Sequence, residues 1–284
     1  MNEKIGVVGA GLMGSEIALV FALAGYVVFL NDRDQTIIDN AIVRLRKLMR
    51  KGVERGFYED GDVEPTLARI QPTTDLSALA DCDMVTEAVF ESMEVKTAVL
   101  SALDKVCKAD CLIATNTSTI PISTLAAELS DERRGYFLGT HYFSPVSRMR
   151  LVEVIPAFDT AAESVDRTMA IMQEIRKTPI RIKDVAGFAV NRMLHMFIIE
   201  AVKLVEEGVA TPEDIDTACR LGLGHPIGPF ALMDAVTASL CVQAQEIMQE
   251  AYGERFRPPA LLKQRVRAGY AGGKGKPGWI SHAT

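Results

Sequence analysis

A histidine and a glutamate in the segment THYFSPVSRMRLVEVI could carry out proton transfer together. Glu153 stands between Val152 and Val154 in a run that predicts a buried strand, and a carboxylate in such surroundings needs a partner. His141, at the start of the same segment, is the candidate for that partner. If Glu153 accepts a hydrogen bond from one imidazole nitrogen, it fixes the tautomer and leaves the other nitrogen as a base. Taken alone, His141 could equally be a hydrogen-bonded core histidine.

A glycine-rich segment near the start of the chain, IGVVGAGLMGSEIA, carries Gly9, Gly11 and Gly14 in G-x-G-x-x-G spacing. The segment follows a predicted strand, opens a predicted helix and leads to a second strand ending at Asp32, which is the context of a dinucleotide-binding turn. Gly9 allows the tight turn, Gly11 lets a pyrophosphate approach the backbone, and Gly14 lets the helix pack on the strand. Asp32 is placed to accept ribose hydroxyls and would repel a 2′-phosphate. The sequence therefore predicts NAD rather than NADP, with FAD as an alternative that uses the same turn.

Two more polar side chains, Asn116 and Ser118 in LIATNTSTI, follow a later predicted strand. Ligands of open α/β sheets bind beyond the carboxyl ends of the strands. Asn116, Ser118 and His141, which is predicted just after the next strand, could therefore line one site. Asn116 and Ser118 could equally be turn or cap residues.

Strand and helix patterns alternate through the first two-thirds of the chain and predict the elements that position these residues. They indicate a Rossmann-type, doubly wound and mostly parallel sheet in residues 1–184, followed by an all-helical domain in residues 185–284. In the second domain Thr211 is the expected N-cap of a helix with Pro212 at its first position. The predicted strands are Ile5–Val8, Val27–Asn31, Met84–Ala88, Leu112–Thr115, Tyr136–Thr140, Val152–Ile155 and Ile180–Ile182, and the predicted helical segments include Ser15–Ala24, Thr36–Gly52, Ala231–Ala251 and Pro259–Ala268.

The composition excludes several classes of protein. The 284 residues are 48% hydrophobic and 24% charged, with a formal net charge of -6, which argues against nucleic-acid binding. The longest apolar run, Ile17–Leu30, is shorter than a membrane span, and the N-terminus lacks the pattern of a signal peptide. The five cysteines are scattered without metal-site spacing. We therefore expect a cytoplasmic protein with reduced thiols and no metal site.

Several motifs together resemble the L-3-hydroxyacyl-CoA dehydrogenase family, in particular its stand-alone members of the 3-hydroxybutyryl-CoA dehydrogenase kind. The motifs are GAGLMG, EAVFESMEVK, NTST, GTHYFSPVSRMRLVEVI, DVAGFAVNRM and LGLGHPIGP, and their order and spacing match across nearly the whole chain. The resemblance implies an NAD-dependent oxidoreductase of fatty acid metabolism and β-oxidation. It would interconvert an L-3-hydroxyacyl-CoA and a 3-oxoacyl-CoA, as a homodimer paired through the helical domain.

The resemblance also implies a role for individual residues. His141 would be the general base and Glu153 its carboxylate partner. Ser118 and Asn191 would hydrogen-bond the substrate oxygens, which places the start of the helical domain at one side of the site. The remaining positions are Glu91, Lys96, Asn116 and Ser144 for the cofactor, and Lys51 and Lys96 for the CoA part of the substrate.

A basic helix and two departures from the family pattern bear on the substrate. Arg44, Lys51 and Arg55 share one face of the predicted helix, which favours an acyl-CoA, although a solvated charged face is the alternative. Ser144 stands where many members carry Asn, and Ser239 stands at a usually acidic position. These departures bear on cofactor geometry and acyl-chain preference.

Two other functions remain open from the sequence. One is an NAD-dependent dehydrogenase of a free hydroxy acid, such as a sugar acid or carnitine, and the other is a non-catalytic dinucleotide-binding protein. Two further histidines have no predicted chemical role: His195 is expected to pack within a helix, and His225 in GHPIGP to belong to a turn.

Overall fold

A computed structural model describes residues 3–280, and the chain divides into two compact units, Met1–Val185 and Ala186–Thr284. In the described part of the first unit, eight strands form one sheet. The strands are β1 (Lys4–Val8), β2 (Val27–Asn31), β3 (Ile70–Thr73), β4 (Met84–Glu87), β5 (Leu112–Thr115), β6 (Phe137–Tyr142), β7 (Leu151–Pro156) and β8 (Thr178–Arg181).

The strand order is β3-β2-β1-β4-β5-β6-β7-β8. Neighbouring strands are parallel except for β6 and β7, which run antiparallel, so the predicted mostly parallel sheet is confirmed. The chain builds outward from β1 to β3 and then crosses to β4 on the other side of β1. The carboxyl ends of β1 and β4 therefore form the switch point at which such sheets bind their ligands.

Strand β3 was not among the predicted strands, and its sequence explains why. Two of its four residues, Gln71 and Pro72, are exposed, and the strand lies at the edge of the sheet. A proline is tolerated there because an edge strand need not donate all its N–H groups, but it hides the strand pattern in the sequence.

Helices flank the sheet of the first unit. Their bounds are α1 (Leu12–Leu23), α2 (Gln35–Glu54), α3 (Val63–Ala68), α4 (Met93–Val106), α5 (Ile122–Ala126), α6 (Asp131–Arg134) and α7 (Ala162–Glu174). Helix α2 buries Ile38, Ala41, Leu45 and Met49, an apolar face at helical spacing. The N-cap residue of α2 is Asp34, whose Oδ1 accepts a hydrogen bond from the backbone N–H of Thr36 at 2.8 Å.

The second unit contains α8 (Val190–Glu206), α9 (Pro212–Gly222), α10 (Pro229–Val236), α11 (Ala238–Tyr252) and α12 (Ala260–Arg267). The predicted N-cap of α9 is confirmed, because Oγ1 of Thr211 accepts from the N–H of Asp214 at 3.2 Å and Pro212 is the first helical residue. The core of this unit is formed by apolar side chains of all five helices, among them Ile198, Ile215 and Phe230.

The predicted continuous helical run Ala231–Ala251 is wrong, because α10 and α11 are separated at Thr237. Thr237 has a φ of 81°, in the left-handed region that does not continue an α-helix. The backbone groups that a continuous helix would pair are used elsewhere: the N–H of Ala238 donates to the carbonyl of Ala271, and the carbonyl of Asp234 accepts from Gly273. Contacts with the C-terminal segment thus create a break that the apolar pattern does not reveal.

Candidate active site

The glycine turn lies between β1 and α1 at the switch point of the sheet. Gly9 has a φ of +101°, and an added Cβ would stand 2.7 Å from the carbonyl oxygen of Ala88. An added Cβ at Gly14 would stand 1.8 Å from the carbonyl oxygen of Gly9, so only glycine allows α1 to approach this closely. Beyond the adjoining backbone, a Cβ added at Gly11 would meet no heavy atom of the described residues within 4 Å. The backbone is therefore open where a dinucleotide pyrophosphate would approach, and the turn fits that group.

Asp32 follows the last residue of β2 and faces the same turn. Its Oδ2 accepts a hydrogen bond from the N–H of Ala10 at 2.8 Å. The carboxylate is thus held beside the glycine turn, where a ribose would lie next to the pyrophosphate. Its contact with the ribose hydroxyls stays a prediction.

Arg44 on α2 is directed at the glycine turn. Its Nη2 donates to the carbonyl oxygens of Ala10 and Gly11 at 3.2 and 3.0 Å, and to Oγ of Ser15 at 2.8 Å. The guanidinium of Arg44 therefore stabilises the glycine turn. The sequence carried no local signal for this contact between two separate elements. Lys51, which was predicted to share a face of α2 with Arg44, is exposed.

The predicted pairing of His141 with Glu153 is present, and its geometry follows from the sheet. His141 lies inside β6 rather than after it, and the antiparallel register places it directly opposite Glu153 on β7. Nδ1 of His141 is 2.8 Å from Oε2 of Glu153. The carboxylate is fully buried and the imidazole nearly so. The expectation that His141 follows the strand was wrong, because pairing with β7 extends β6 to Tyr142.

Ser118 completes the array on the other side of the imidazole. Its Oγ is 3.1 Å from Nε2 of His141, in the loop that follows β5. The order is thus hydroxyl, imidazole, carboxylate, with the Nδ1 side held by Glu153 and the Nε2 side directed toward Ser118. An imidazole held in this way can accept a proton at Nε2 while the carboxylate stabilises the resulting cation.

Three other residues predicted from the sequence lie near these strand ends: Asn116 in the same loop, Glu91 in the loop after β4, and Lys96 in α4. Oδ1 of Asn116 accepts a hydrogen bond from the N–H of Tyr142 at 3.0 Å, so this side chain joins the end of β5 to the end of β6. Glu91 accepts hydrogen bonds from the loop that carries Ser118. Lys96 is almost completely buried, with its Nζ 3.3 Å from Oε2 of Glu91. A contact of Lys96 with the CoA part of a substrate stays a prediction that its burial does not support.

Ser144 is exposed in the loop between β6 and β7. Two buried charged residues, Lys177 and Glu16, hold this loop, and neither of them was identified from the sequence. Nζ of Lys177 donates to the carbonyl oxygens of Val146 and, at 2.8 Å, of Met149. Burial lowers the pKa of this ammonium to about 8. Oε2 of Glu16, on α1, accepts from the N–H of Ser147 at 3.0 Å. Glu16 had one sequence signal, a lone carboxylate in the apolar run of α1.

In the second unit, Asn191 lies in the first turn of α8 and is half-buried. His195, one turn later, is buried, and burial lowers its pKa to about 4. The prediction of a packed helix histidine is therefore confirmed. His225 is exposed in the segment before α10, where the N–H groups of Phe230 and Ala231 donate to the buried carboxylate of Asp216 at 2.8 and 2.9 Å.

Candidate metal sites and membrane-spanning helices are both absent from residues 3–280. The His, Cys, Asp and Glu side chains of that range form no group of three or more suited to a metal ion. Every helix in the range is too short or too polar to span a bilayer.

A glycine turn at the switch point, combined with a hydroxyl–imidazole–carboxylate array at the ends of neighbouring strands, defines a dinucleotide-dependent dehydrogenase. Models of two family domains match the chain. The 3-hydroxyacyl-CoA dehydrogenase NAD binding domain matches residues 4–185, and the 3-hydroxyacyl-CoA dehydrogenase C-terminal domain matches residues 187–282. The chain belongs to the 3-hydroxyacyl-CoA dehydrogenase family, and its cofactor is NAD.

Individual relatives match over their full length. A probable 3-hydroxybutyryl-CoA dehydrogenase of Deinococcus radiodurans is 38% identical over 98% of this chain and 100% of the relative. A 3-hydroxybutyryl-CoA dehydrogenase of Clostridioides difficile is 36% identical over 98% of this chain and 99% of its own length. The crystal structure of (S)-3-hydroxybutyryl-CoA dehydrogenase from Ralstonia eutropha superposes with a TM-score of 0.93, at 33% identity over 99% of both chains.

Proposed function

We propose that this protein oxidises L-3-hydroxyacyl-CoA substrates, such as 3-hydroxybutyryl-CoA, to the 3-oxoacyl-CoA, and catalyses the reverse reduction. The observation that carries the proposal is the array of the half-buried Ser118 with the buried His141 and Glu153, with distances of 3.1 and 2.8 Å on the two sides of the imidazole. The array lies at the strand ends of a domain that belongs to a family of NAD-binding domains. A secondary alcohol needs a base for its hydroxyl proton, which His141 supplies, and an acceptor for its hydride, which bound NAD would supply.

In the forward direction, Nε2 of His141 accepts the proton of the substrate 3-hydroxyl as the carbon–oxygen double bond forms. Bound NAD supplies the hydride acceptor for the hydrogen that leaves the same carbon. Oγ of Ser118 donates a hydrogen bond to the substrate oxygen and holds it beside Nε2. Glu153 keeps the imidazole in the required tautomer and stabilises the imidazolium that results. In reverse, the imidazolium returns the proton to the carbonyl oxygen.

Several further roles belong to the same proposal. Lys51, exposed on α2, would bind a phosphate of CoA, and Asn191 would hydrogen-bond the substrate. Glu91, Lys96, Asn116 and Ser144 remain predictions as cofactor-binding residues. We expect the protein to work in the cytoplasm and without a nucleic-acid partner.

A homodimer paired through the helical unit is supported by large apolar side chains on its surface. Leu221, Leu223 and Val209 are 82, 62 and 64% exposed. Exposed apolar groups of this size favour burial against another protein surface. Sedimentation equilibrium should give twice the mass of the chain, and a Leu221→Lys, Leu223→Lys variant should shift toward the monomer.

The test of the proposed reaction is loss of NADH absorbance with acetoacetyl-CoA near neutral pH. We expect rapid turnover with this pair, and little with free acetoacetate or with NADPH. Equal saturation kinetics with the free acid would favour a hydroxy-acid dehydrogenase instead. Tight NADH binding without turnover on any acyl-CoA would favour a non-catalytic protein. A His141→Gln variant with unchanged turnover would contradict the assigned base.

A further inference from the structure

The end of β4 carries a fully buried carboxylate, Glu87, that no step of the proposed reaction uses. Its Oε1 accepts hydrogen bonds from Nζ of Lys96 at 2.8 Å and from the N–H of Val89 at 2.7 Å. Its Oε2 accepts from Oγ1 of Thr115, the last residue of β5, at 2.7 Å. Glu87 therefore ties the ends of two neighbouring strands to α4, and a buried ammonium balances its charge.

Lys96 extends this contact toward the loop that follows β5. Its side chain is only 1% exposed, and the same Nζ that binds Glu87 lies 3.3 Å from Oε2 of Glu91. Because one ammonium serves two carboxylates, each carboxylate influences where the ammonium lies with respect to the other. Loss of the charge on Glu87 would draw the ammonium toward Glu91 and shift both groups.

Glu91 in turn holds the loop between β5 and α5. Its Oε1 accepts hydrogen bonds from four donors of that loop, which are Oγ1 of Thr117 at 2.6 Å, the N–H of Ser118 at 2.9 Å, and the N–H and Oγ1 of Thr119 at 3.0 and 2.9 Å. Burial opposes the charge of Glu91, but Lys96 and these hydrogen bonds outweigh it and hold its pKa below its usual range. An ionised carboxylate therefore fixes the backbone at Ser118.

We propose that Glu87 is a positioning residue for the reaction. Acting through Lys96 and Glu91, it sets the place of the Ser118 hydroxyl, whose Oγ is 3.1 Å from Nε2 of His141. The proposal rests on the proposed function, since the place of this hydroxyl affects rate only if Ser118 and His141 act on a substrate. A displacement of about 1 Å in a reacting group can lower a rate on the order of 100-fold, so an indirect shift of this kind is measurable.

A Glu87→Gln variant tests the proposal, because Gln keeps the size of the side chain and removes its charge. We expect kcat with acetoacetyl-CoA and NADH to fall about 10-fold to 100-fold. The Kd for NADH, measured separately, should change by a smaller factor than kcat, although the shift also reaches Lys96 and Glu91. The matched control is Thr86→Val. Thr86 is its neighbour in β4 and is also fully buried, and its Oγ1 has no hydrogen-bond partner among the described residues. This control should keep the kinetics of the wild type.

Two further measurements separate positioning from a general structural role. In a Ser118→Ala background, Glu87→Gln should cause little further loss of kcat, because both changes act on the same hydroxyl. Hydrogen exchange at the amides of Ser118 and Thr119, measured without substrate, should be faster in Glu87→Gln than in Thr86→Val. If Glu87→Gln does not fold, Thr115→Val removes one hydrogen bond to the same carboxylate and should show smaller effects of the same kind.

The outcomes distinguish this inference from the proposed function. Absence of turnover in the wild type would reject the reaction, and the exchange experiment would still test the link between Glu87 and the loop. Unchanged exchange at Ser118 and Thr119 would overturn the inference. So would an unchanged kcat in the Glu87→Gln variant, or a loss of equal size with and without the Ser118 hydroxyl.

Discussion

Replacement of Glu153 by Gln tests the origin of the catalytic base most directly. The carboxylate is fully buried, and its Oε2 lies 2.8 Å from Nδ1 of His141. Two unit charges about 4 Å apart attract each other by about 4 kcal/mol at the effective dielectric constant of a protein site. Gln occupies the same volume and keeps a dipole, so it would recover part of this stabilisation of the imidazolium. A remaining loss of about 3 kcal/mol corresponds to a kcat lowered by a factor of about 100 to 200.

The assay is steady-state oxidation of NADH by acetoacetyl-CoA, with NADH affinity measured separately by fluorescence titration. The Kd for NADH should remain close to that of the wild type, because Glu153 contacts the imidazole and not the glycine turn. Glu163→Gln is the control, since Glu163 is exposed in the first turn of α7. A Glu153→Gln variant that folds, binds NADH normally and retains the kcat of the wild type would refute the assignment of His141 and Glu153.

Two other predictions concern the substrate and the stability of the helical unit. Lys51→Ala should raise the KM for acetoacetyl-CoA about twofold to fivefold, most strongly at low salt, and leave kcat and NADH binding unchanged, because one exposed charge contributes about 1 kcal/mol or less. Burial lowers the pKa of His195 to about 4, so the unfolded chain binds the proton more readily between about pH 6.5 and pH 4. Acidification through that range should therefore destabilise the fold by about 3 kcal/mol, and His195→Leu should remove this loss, as measured by urea unfolding at several pH values.

Matched variants decide both outcomes. Lys105→Ala changes another exposed lysine, in the last turn of α4, and an equal rise in KM for this variant would remove the case for Lys51. His225→Gln changes an exposed histidine of the same unit. If it abolished the acid destabilisation while His195→Leu left it intact, the assignment to His195 would be wrong.

The strand patterns predicted most of the sheet because each depends on residues close together in the chain. Apolar, β-branched runs mark β1, β2, β4 and β5, which are central and buried. The edge strand β3 escaped prediction because its exposed residues and Pro72 lack that pattern. The break at Thr237 escaped it because its cause lies in contacts with the segment around Ala271 and Gly273, far along the chain.

The sequence predicted those residues of the candidate site whose side-chain type alone requires a particular structure, such as a tight turn or a hydrogen-bonding partner. Gly9 and Gly14 permit a turn that a Cβ would block, and a carboxylate among valines requires a partner, so these two glycines and Glu153 stood out in the sequence. The antiparallel pairing of β6 with β7 then placed His141 opposite that carboxylate.

The sequence by itself determined the class of the protein: a dinucleotide turn, a mostly parallel sheet and a histidine with a carboxylate in reach. Only the tertiary structure decided how the charged side chains are used. It directs Arg44 to the glycine turn, encloses Lys96 between Glu87 and Glu91, and bonds Lys177 to the loop after β6. The physical reason is that turns and strands arise from local conformational preferences, whereas the pairing of a buried charge depends on which distant groups the fold brings within hydrogen-bond distance.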